Sequence, residues 1–148
     1  MANDKLLAML QETRNEIVRE RNARIERRQQ AHLILDDARE NLRRAQDKAR
    51  AAAQADEDVK EKQRILVDSL NGMTEKPQYL MDKVTRLQAE QLQTYRARMA
   101  AHEIDRARQT EVTNAERDYA IAQKNIEQSD KDIADIDSKI REAQGFSL

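Results

Sequence analysis

Few side chains in this sequence are of the types that perform chemistry, and their spacing builds no recognisable catalytic site. The chain has no cysteine, which excludes thiol catalysis and thiolate metal sites. Its two histidines, His32 and His102, lie far apart in the antiparallel pairing that the sequence predicts, so they do not share a metal ion. No glycine-rich phosphate loop and no Ser-His-Asp set occurs. We therefore predict a protein that is not an enzyme and that uses neither a metal ion nor a cofactor.

Two charged segments suggest the binding of ions or of nucleic acid. Acidic residues at positions 130, 132, 135 and 137 resemble calcium ligands, but they follow a helical repeat and lack the loop glycine of a calcium site. Arginines crowd residues 14–28 and could contact nucleic acid, but interleaved Glu16, Glu20 and Glu26 favour pairing within the protein. The tyrosines are too scattered to stack bases. A solvated helix face and intramolecular ion pairs are the better interpretations, and no nucleic-acid partner is predicted.

The composition is typical of long helices rather than of a thick globular core. Charged residues make up 37% of the 148 residues, aromatic residues 3%, and the net charge is -1. A charge so close to neutral argues against bulk electrostatic binding to nucleic acid or to an anionic membrane. The apolar runs are too short to cross a bilayer, and the first residues lack a signal-peptide pattern. We expect a cytoplasmic protein with no direct membrane insertion.

Residues 71–77 divide the chain into two halves, and they contain the only proline and one of the two glycines. Asn71-Gly72 is a typical helix end, because glycine reaches the left-handed conformation without a Cβ clash. Thr74 can then cap a new helix that holds Pro77 in its first turn. This predicts an all-α fold, a long antiparallel two-helix coiled-coil hairpin that forms a single domain over residues 1–148. Its arms span 3–71 and 77–144, with a turn at 72–76 and a short tail at 145–148.

Apolar and small residues repeat at alternating spacings of three and four along both arms, which is the pattern of a coiled-coil seam. In the first arm the seam also includes one aspartate and four arginines: Asp56, Arg14, Arg21, Arg24 and Arg28. In the second arm the repeat is clean from Arg108 onward. Before it, three large residues lie about one position off the strict repeat, which predicts a stutter in the supercoil: Leu92, Tyr95 and Met99.

The register of the hairpin follows from the place of the turn. With the turn centred near residues 73 to 74, residues 14–28 lie opposite residues 119–133, and this part of the second arm is rich in acidic side chains. Basic side chains therefore meet acidic ones, although each exposed pair contributes only ~0.2–1 kcal/mol.

Two apolar clusters are the expected contacts with other proteins. The cluster at the open end of the hairpin holds more apolar surface than one seam can bury: Leu6, Leu7, Leu10 and Phe146. The alternative is that these residues only cap the hairpin's own core. The cluster at the turn end is a second candidate: Met73, Tyr79 and Met81. A thin helical pair with an apolar patch at each end suits a stalk, a spacer or an assembly factor.

The chain resembles the FliJ/YscO family, small cytoplasmic proteins of flagellar and type III secretion export machinery. The likeness covers the whole chain and lies in its length, its lack of cysteine, two equal charged arms and the turn at 71–77. The resemblance implies a hairpin that acts like the rotor stalk of a rotary ATPase. The open end, with Leu6, Leu7, Leu10 and Ile140, would then enter a hexameric ATPase ring. Residues 73–81 would face an export gate, and the arginines of residues 14–28 would be candidate ring contacts.

Two functions therefore stay open. The first is a non-enzymatic stalk or assembly factor of a larger complex, which the resemblance specifies as the central stalk of an export ATPase. The alternative is a structural subunit of a repetitive assembly such as a phage virion or filament, in which self-association completes the thin core. An enzyme regulator or a nucleic-acid binder forms a third class.

Overall fold

The computed structural model describes residues 2–145, with the backbone alone at Ala2. These residues form two α-helices and no strand: α1, Ala2–Asn71, and α2, Gln78–Gly145. The two long helices pack against each other, so the predicted all-α helical hairpin is confirmed. The helices differ by one residue at three of their four ends from the arms that the sequence predicts. Of the expected tail, Gly145 belongs to α2 and residues 146–148 lie outside the described residues.

The end of α1 differs from the prediction in its conformation. Gly72 follows the last helical residue, as expected, but its φ is not positive, so the left-handed cap is wrong. The last turn closes instead through a hydrogen bond from the Met73 amide to the Leu70 carbonyl, at 3.0 Å. Such a bond spans three residues and tightens the end of a helix in place of a glycine cap.

The start of α2 also differs from the prediction. The Pro77 carbonyl accepts hydrogen bonds from the amides of Leu80 and Met81, at 3.1 and 3.2 Å. Pro77 therefore holds the cap position just outside the helix, where its missing N–H leaves nothing unsatisfied. Thr74 lies in the connection and does not cap α2. The connection thus runs to residue 77 rather than to 76.

Two compact units divide the chain, and each contains a segment of both helices. We call the first the terminal unit, which comprises the described residues up to Asp37 and from Thr113 onward. The second, Ala38–Val112, contains the connection and is called the turn unit. The assignment of the whole chain to a single domain stays a prediction.

The core of the terminal unit is asymmetric. Helix α2 supplies most of its buried apolar side chains, and α1 adds one of them: Ala115, Ile126, Ile136, Ile140, Ala143 and Leu35. The remaining α1 seam positions of this unit are half-buried, and four of them hold arginine. The repeat predicted for both helices in this region is confirmed by the burial.

The core of the turn unit includes a buried charge. Its apolar members come from both helices: Ala38, Ala45, Val59, Leu70, Leu87 and Val112. Asp56, on the same α1 seam, is also fully buried.

The stutter predicted for α2 is wrong. The seam continues at strict spacing through side chains that are polar and half-buried: Gln91, Thr94, Arg98 and Asp105. The large residues on which the prediction rested are exposed instead: Leu92, Tyr95 and Met99. Over this stretch of α2, the large apolar side chains therefore lie on an exposed face and do not indicate the seam.

The register within the terminal unit is displaced from the predicted one. Arg14 contacts Asp137 and Arg28 contacts Gln123, whereas the prediction placed residues 119–133 opposite this segment. The displacement is about four residues, or one helical turn. The start of α2 differs from the predicted arm by one residue, so the displacement is larger than the change in the connection.

Candidate functional site

Two of the four seam arginines of the terminal unit form ion pairs with α2. The Nε atom of Arg14 donates to Oδ1 of Asp137 at 2.6 Å, and that of Arg21 donates to Oδ1 of Asp130 at 2.5 Å. The predicted pairing of basic with acidic side chains is confirmed for these two residues. The acidic residues concerned are among those that superficially resemble calcium ligands, and here they accept hydrogen bonds from arginine.

The other two seam arginines contact uncharged groups. Nη1 of Arg24 donates to the Asn125 carbonyl at 2.9 Å and to the Ser129 hydroxyl at 2.8 Å. Nη1 of Arg28 donates to Oε1 of Gln123 at 2.8 Å. Since Ser129 is almost completely buried, Arg24 provides a donor to a hydroxyl that water does not reach. All four arginines of the predicted basic patch therefore make contacts within the protein.

The apolar residues predicted at the open end lie on the first turns of α1. Leu6 is 47% exposed, and the neighbouring Met9 is exposed as well. Leu7 and Leu10 occupy seam positions and are half-buried. Phe146, the fourth predicted member of this cluster, lies outside the described residues. In the described part of the cluster, Leu6 and Met9 therefore face solvent, whereas Leu7 and Leu10 face the seam.

The apolar residues predicted at the turn are all exposed. Met73 lies in the connection, whereas Tyr79 and Met81 lie in the first turn of α2. Tyr79 keeps 70% of its surface exposed and Met81 keeps 41%. Their role as a partner contact stays a prediction, and the geometry leaves them accessible for it.

Sequence reasoning placed Asp56 on the seam but assigned it no role. Its carboxylate is fully buried and has three partners in the turn unit. Oδ1 accepts from the Thr94 hydroxyl at 3.1 Å, and Oδ2 lies 3.1 Å both from Arg98 Nη1 and from Lys60 Nζ. The signal that could have revealed this cluster is an aspartate at a seam position with lysine one turn later.

The partners of Asp56 determine its charge state. Burial acts to raise the pKa of Asp56, but the hydrogen bonds from Lys60, Arg98 and Thr94 together outweigh it. The pKa of Asp56 therefore lies below its ordinary value of 3.8, and the carboxylate is ionised at neutral pH. Because Thr94 and Arg98 belong to α2, the cluster links the two helices of the turn unit through the buried carboxylate.

The three exposed residues that suggested a stutter share a face of α2 with Met81 in the turn unit. Each of the four large apolar residues lies one position after a seam residue: Met81, Leu92, Tyr95 and Met99. Their exposed fractions run from 41% to 48%. Beside this face, an open groove of about 420 Å³ lies between the helices, lined by residues that include Leu66, Val67 and Val84.

The histidines show no catalytic arrangement. The His32 ring lies 5.8 Å from that of Tyr119, tilted by 51°, and Nε2 is 3.3 Å from Oδ2 of Asp36. His102 is exposed on α2. Among the described side chains, no group of three or more histidine, cysteine, aspartate or glutamate residues is placed to hold a metal ion. No helix within residues 2–145 combines the length and the apolar character needed to cross a membrane.

Comparison with known proteins found no match among protein-family models, curated proteins or solved structures.

Proposed function

We propose that this chain is a non-enzymatic coiled-coil stalk or assembly factor that works in the cytoplasm by binding other proteins. The observation that carries the proposal is the apolar surface left exposed by a two-helix hairpin. Leu6 and Met9 near the start of α1 and Tyr79 at the start of α2 are exposed although the seam beside them is formed. Exposed apolar groups of this kind mark contacts with other proteins.

The charged groups of the terminal unit support a protein partner rather than nucleic acid. A nucleic-acid site needs arginines that are free to contact phosphates. Arg14 and Arg21 instead pair with aspartates of α2, and Arg24 donates to a buried hydroxyl and to a backbone carbonyl. Binding through the apolar residues disturbs none of these contacts.

The complex we propose is a type III secretion or flagellar export ATPase, in which the chain is the central stalk. The support is the resemblance to the FliJ/YscO family in length, in its two charged arms and in its turn. Leu6, Leu7 and Leu10 then enter the hexameric ATPase ring. Met73, Tyr79 and Met81 contact the export gate.

The experiment that tests this function is a binding and activity assay with the export ATPase of the chain's own host. The full chain should bind the assembled ring and change its rate of ATP hydrolysis. Leu6→Asp should weaken binding about tenfold, which corresponds to about 1.4 kcal/mol, because a charge replaces an apolar contact. Its matched control is Leu33→Asp, since Leu33 is an exposed leucine of the same helix outside the proposed contact.

Two results would overturn the function. One is a folded chain that neither binds the ring nor changes its hydrolysis. The other is equal loss of binding in Leu6→Asp and Leu33→Asp, which would show that the start of α1 is not the contact. Circular dichroism of each variant verifies that the helices persist.

A second candidate function has its own observation in its favour. Exposed large apolar residues also lie away from the two predicted ends, at Ile34 and Ile121 of the terminal unit and at Ile104 of the turn unit. A structural subunit of a virion or filament would cover such residues with neighbouring copies. Sedimentation velocity over a range of concentrations tests this candidate: an open-ended series of oligomers supports it, and a single closed species contradicts it.

A further inference from the structure

The strongest unassigned surface is the exposed face of α2 in the turn unit. We define the α2 face by six residues at heptad spacing: Met81, Thr85, Gln88, Leu92, Tyr95 and Met99. It is about 27 Å long at the helical rise per residue. Alternating spacings of four and three make it a second coiled-coil seam on a helix whose first seam already packs on α1. Such a face accepts another helix.

We infer that the α2 face binds the α2 face of a second copy of this chain, with the two helices antiparallel about a two-fold axis. The occupant is another α2 because three of the four α1 positions that follow seam residues 56 to 66 are charged, at Glu57, Lys60 and Arg64, and the fourth is Val67. An apolar face that met α1 of a second copy would bury these charges at a high cost. A two-fold axis brings like surface to like surface, and each apolar residue then meets an apolar or a neutral one.

One register makes the α2 face complementary to itself. It pairs Met81 with Met99 of the second copy, Thr85 with Tyr95, and Gln88 with Leu92. Each pair occurs twice by symmetry. Every layer therefore contains at least one large side chain and no charge.

The charges beside the α2 face select the same register. Asp82 and Arg96 are both exposed, and they lie on the same edge of the α2 face, two heptads apart. In the register above, Asp82 lies opposite Arg96 of the second copy, and the pair forms twice. Ala89 lies midway between them and meets its own counterpart at the axis, where a small side chain allows close approach. Asp82 already accepts a hydrogen bond from Gln78 at 2.9 Å, which leaves its second oxygen available.

Displacement by one heptad in either direction loses this complementarity. One direction places Asp82 opposite Ala89 of the second copy, which carries no charge. The other places Asp82 opposite Glu103, and like charges directly opposite each other destabilise a helix pair. The same displacement places Met81 opposite Arg106. The charges thus distinguish one register from the next, and this selection is independent of the apolar pattern.

The dimer extends beyond the proposed function, since it uses the turn unit and requires no ATPase. Sedimentation equilibrium of the full chain should show a monomer–dimer equilibrium. Tyr95→Lys should weaken the dimer at least tenfold. The control is Ile104→Lys, because Ile104 is an equally exposed apolar residue of α2 in the same unit but lies off the α2 face. Circular dichroism verifies that both variants are folded.

A charge swap tests the register. Asp82→Arg and Arg96→Asp should each raise the dimer dissociation constant about tenfold, because each puts like charges together at two places. The double variant restores opposite charges and should return to within about threefold of the parent chain. Because the chain has no native cysteine, a single thiol can also mark the axis. Ala89→Cys should cross-link to itself with a short bis-maleimide, and Ala100→Cys should not.

The inference is overturned by a chain that remains monomeric at all concentrations or forms open-ended oligomers. It is equally overturned by a dimer that Ile104→Lys weakens as much as Tyr95→Lys, or that the charge swap does not restore. A dimer that fails to bind the export ATPase would leave the inference intact and remove only the proposed function. A monomer that binds the ATPase would do the reverse.

Discussion

The two units of this protein place charges in the same kind of seam and accommodate them differently. In the terminal unit the charges are cations on α1, and the side chains of Arg14, Arg21 and Arg24 keep between 26% and 39% of their surface exposed. In the turn unit the fully buried charge is an anion, Asp56, with no exposed surface at all. One seam thus carries its charges at its edge, and the other carries one in its interior.

Side-chain length explains this difference. Arginine has a long aliphatic stem that can pack in the seam while its guanidinium reaches the edge of the helix pair and solvent. Aspartate has a single methylene, so the carboxylate of Asp56 stays inside the seam. Lys60, Arg98 and Thr94 must therefore reach inward to Asp56. A long cation in a seam can keep its charge in solvent and needs few protein partners, whereas a short anion requires a prearranged set of partners.

The largest expected effect comes from placing an aspartate in the seam without partners. Leu66→Asp introduces the charge in the turn unit, where Leu66 is a half-buried seam residue that lines the same groove as Val84 and Leu87. We expect the melting temperature to fall by roughly 10–15 °C, because a charge that replaces a half-buried apolar side chain of the seam is costly. Thermal circular dichroism measures it. The adjacent Ile65→Asp is the control, since Ile65 is exposed. Equal melting of both variants would contradict the seam assignment.

The next effect comes from removing the cations that surround Asp56. The double variant Lys60→Met, Arg98→Met should lower the melting temperature by roughly 10 °C, because the buried carboxylate loses both opposite charges. Adding Asp56→Leu to the same chain should recover most of the loss, since no buried charge is then left unpaired. If the triple variant melts no higher than the double one, the cations act through packing and not through Asp56.

A smaller effect is expected from pH. Since the folded-state pKa of Asp56 lies below 3.8, its stabilising contribution is fully present above that value and is lost as the pH falls through the folded pKa. Between about pH 5 and pH 2 the parent chain should lose roughly 5 °C more than Asp56→Asn. Hydrogen bonds from Arg43 and Arg64 also lower the pKa values of Glu40 and Glu61. Both chains contain these two glutamates, so the difference between the chains isolates Asp56. Parallel pH profiles would show that the buried carboxylate is not the group that titrates.

The smallest effect distinguishes arginines within the terminal unit. Arg21→Met removes an ion pair at the edge and should change the melting temperature by about 1 °C or less. Arg24→Met removes the donor to the buried Ser129 hydroxyl and should lower it by about 3 °C. Adding Ser129→Ala to Arg24→Met should recover part of that difference. Identical melting of the two single variants would show that the Ser129 contact contributes nothing.

Local spacing in the sequence determined the two helices and most of their seam. The positions of Leu35, Val59 and Leu70 follow from the repeat, and all three are buried. The helix end at Asn71 lies where the Asn-Gly pair predicted it, although the left-handed cap does not form. The ion pairs of Arg14 and Arg21 with acidic residues of α2 could also be predicted in kind, since opposite charges face each other over any register near the true one.

Other features could not be derived because they depend on the partner helix. The register of the terminal unit depends on how the two helices pack, and the contacts of Arg14 and Arg28 lie about one turn from the predicted register. The seam of α2 near Thr94 and Arg98 is polar, so an apolar pattern marked the exposed residues Leu92 and Tyr95 in its place.

The sequence by itself therefore determined the fold class and which residues of α1 face inward, because hydrophobic periodicity is a local property of each helix. Only the tertiary structure decided which residues of α2 oppose them and that Asp56 is buried among three donors. Those outcomes depend on contacts between segments distant in sequence, where a polar side chain becomes a core residue once its partner is in place.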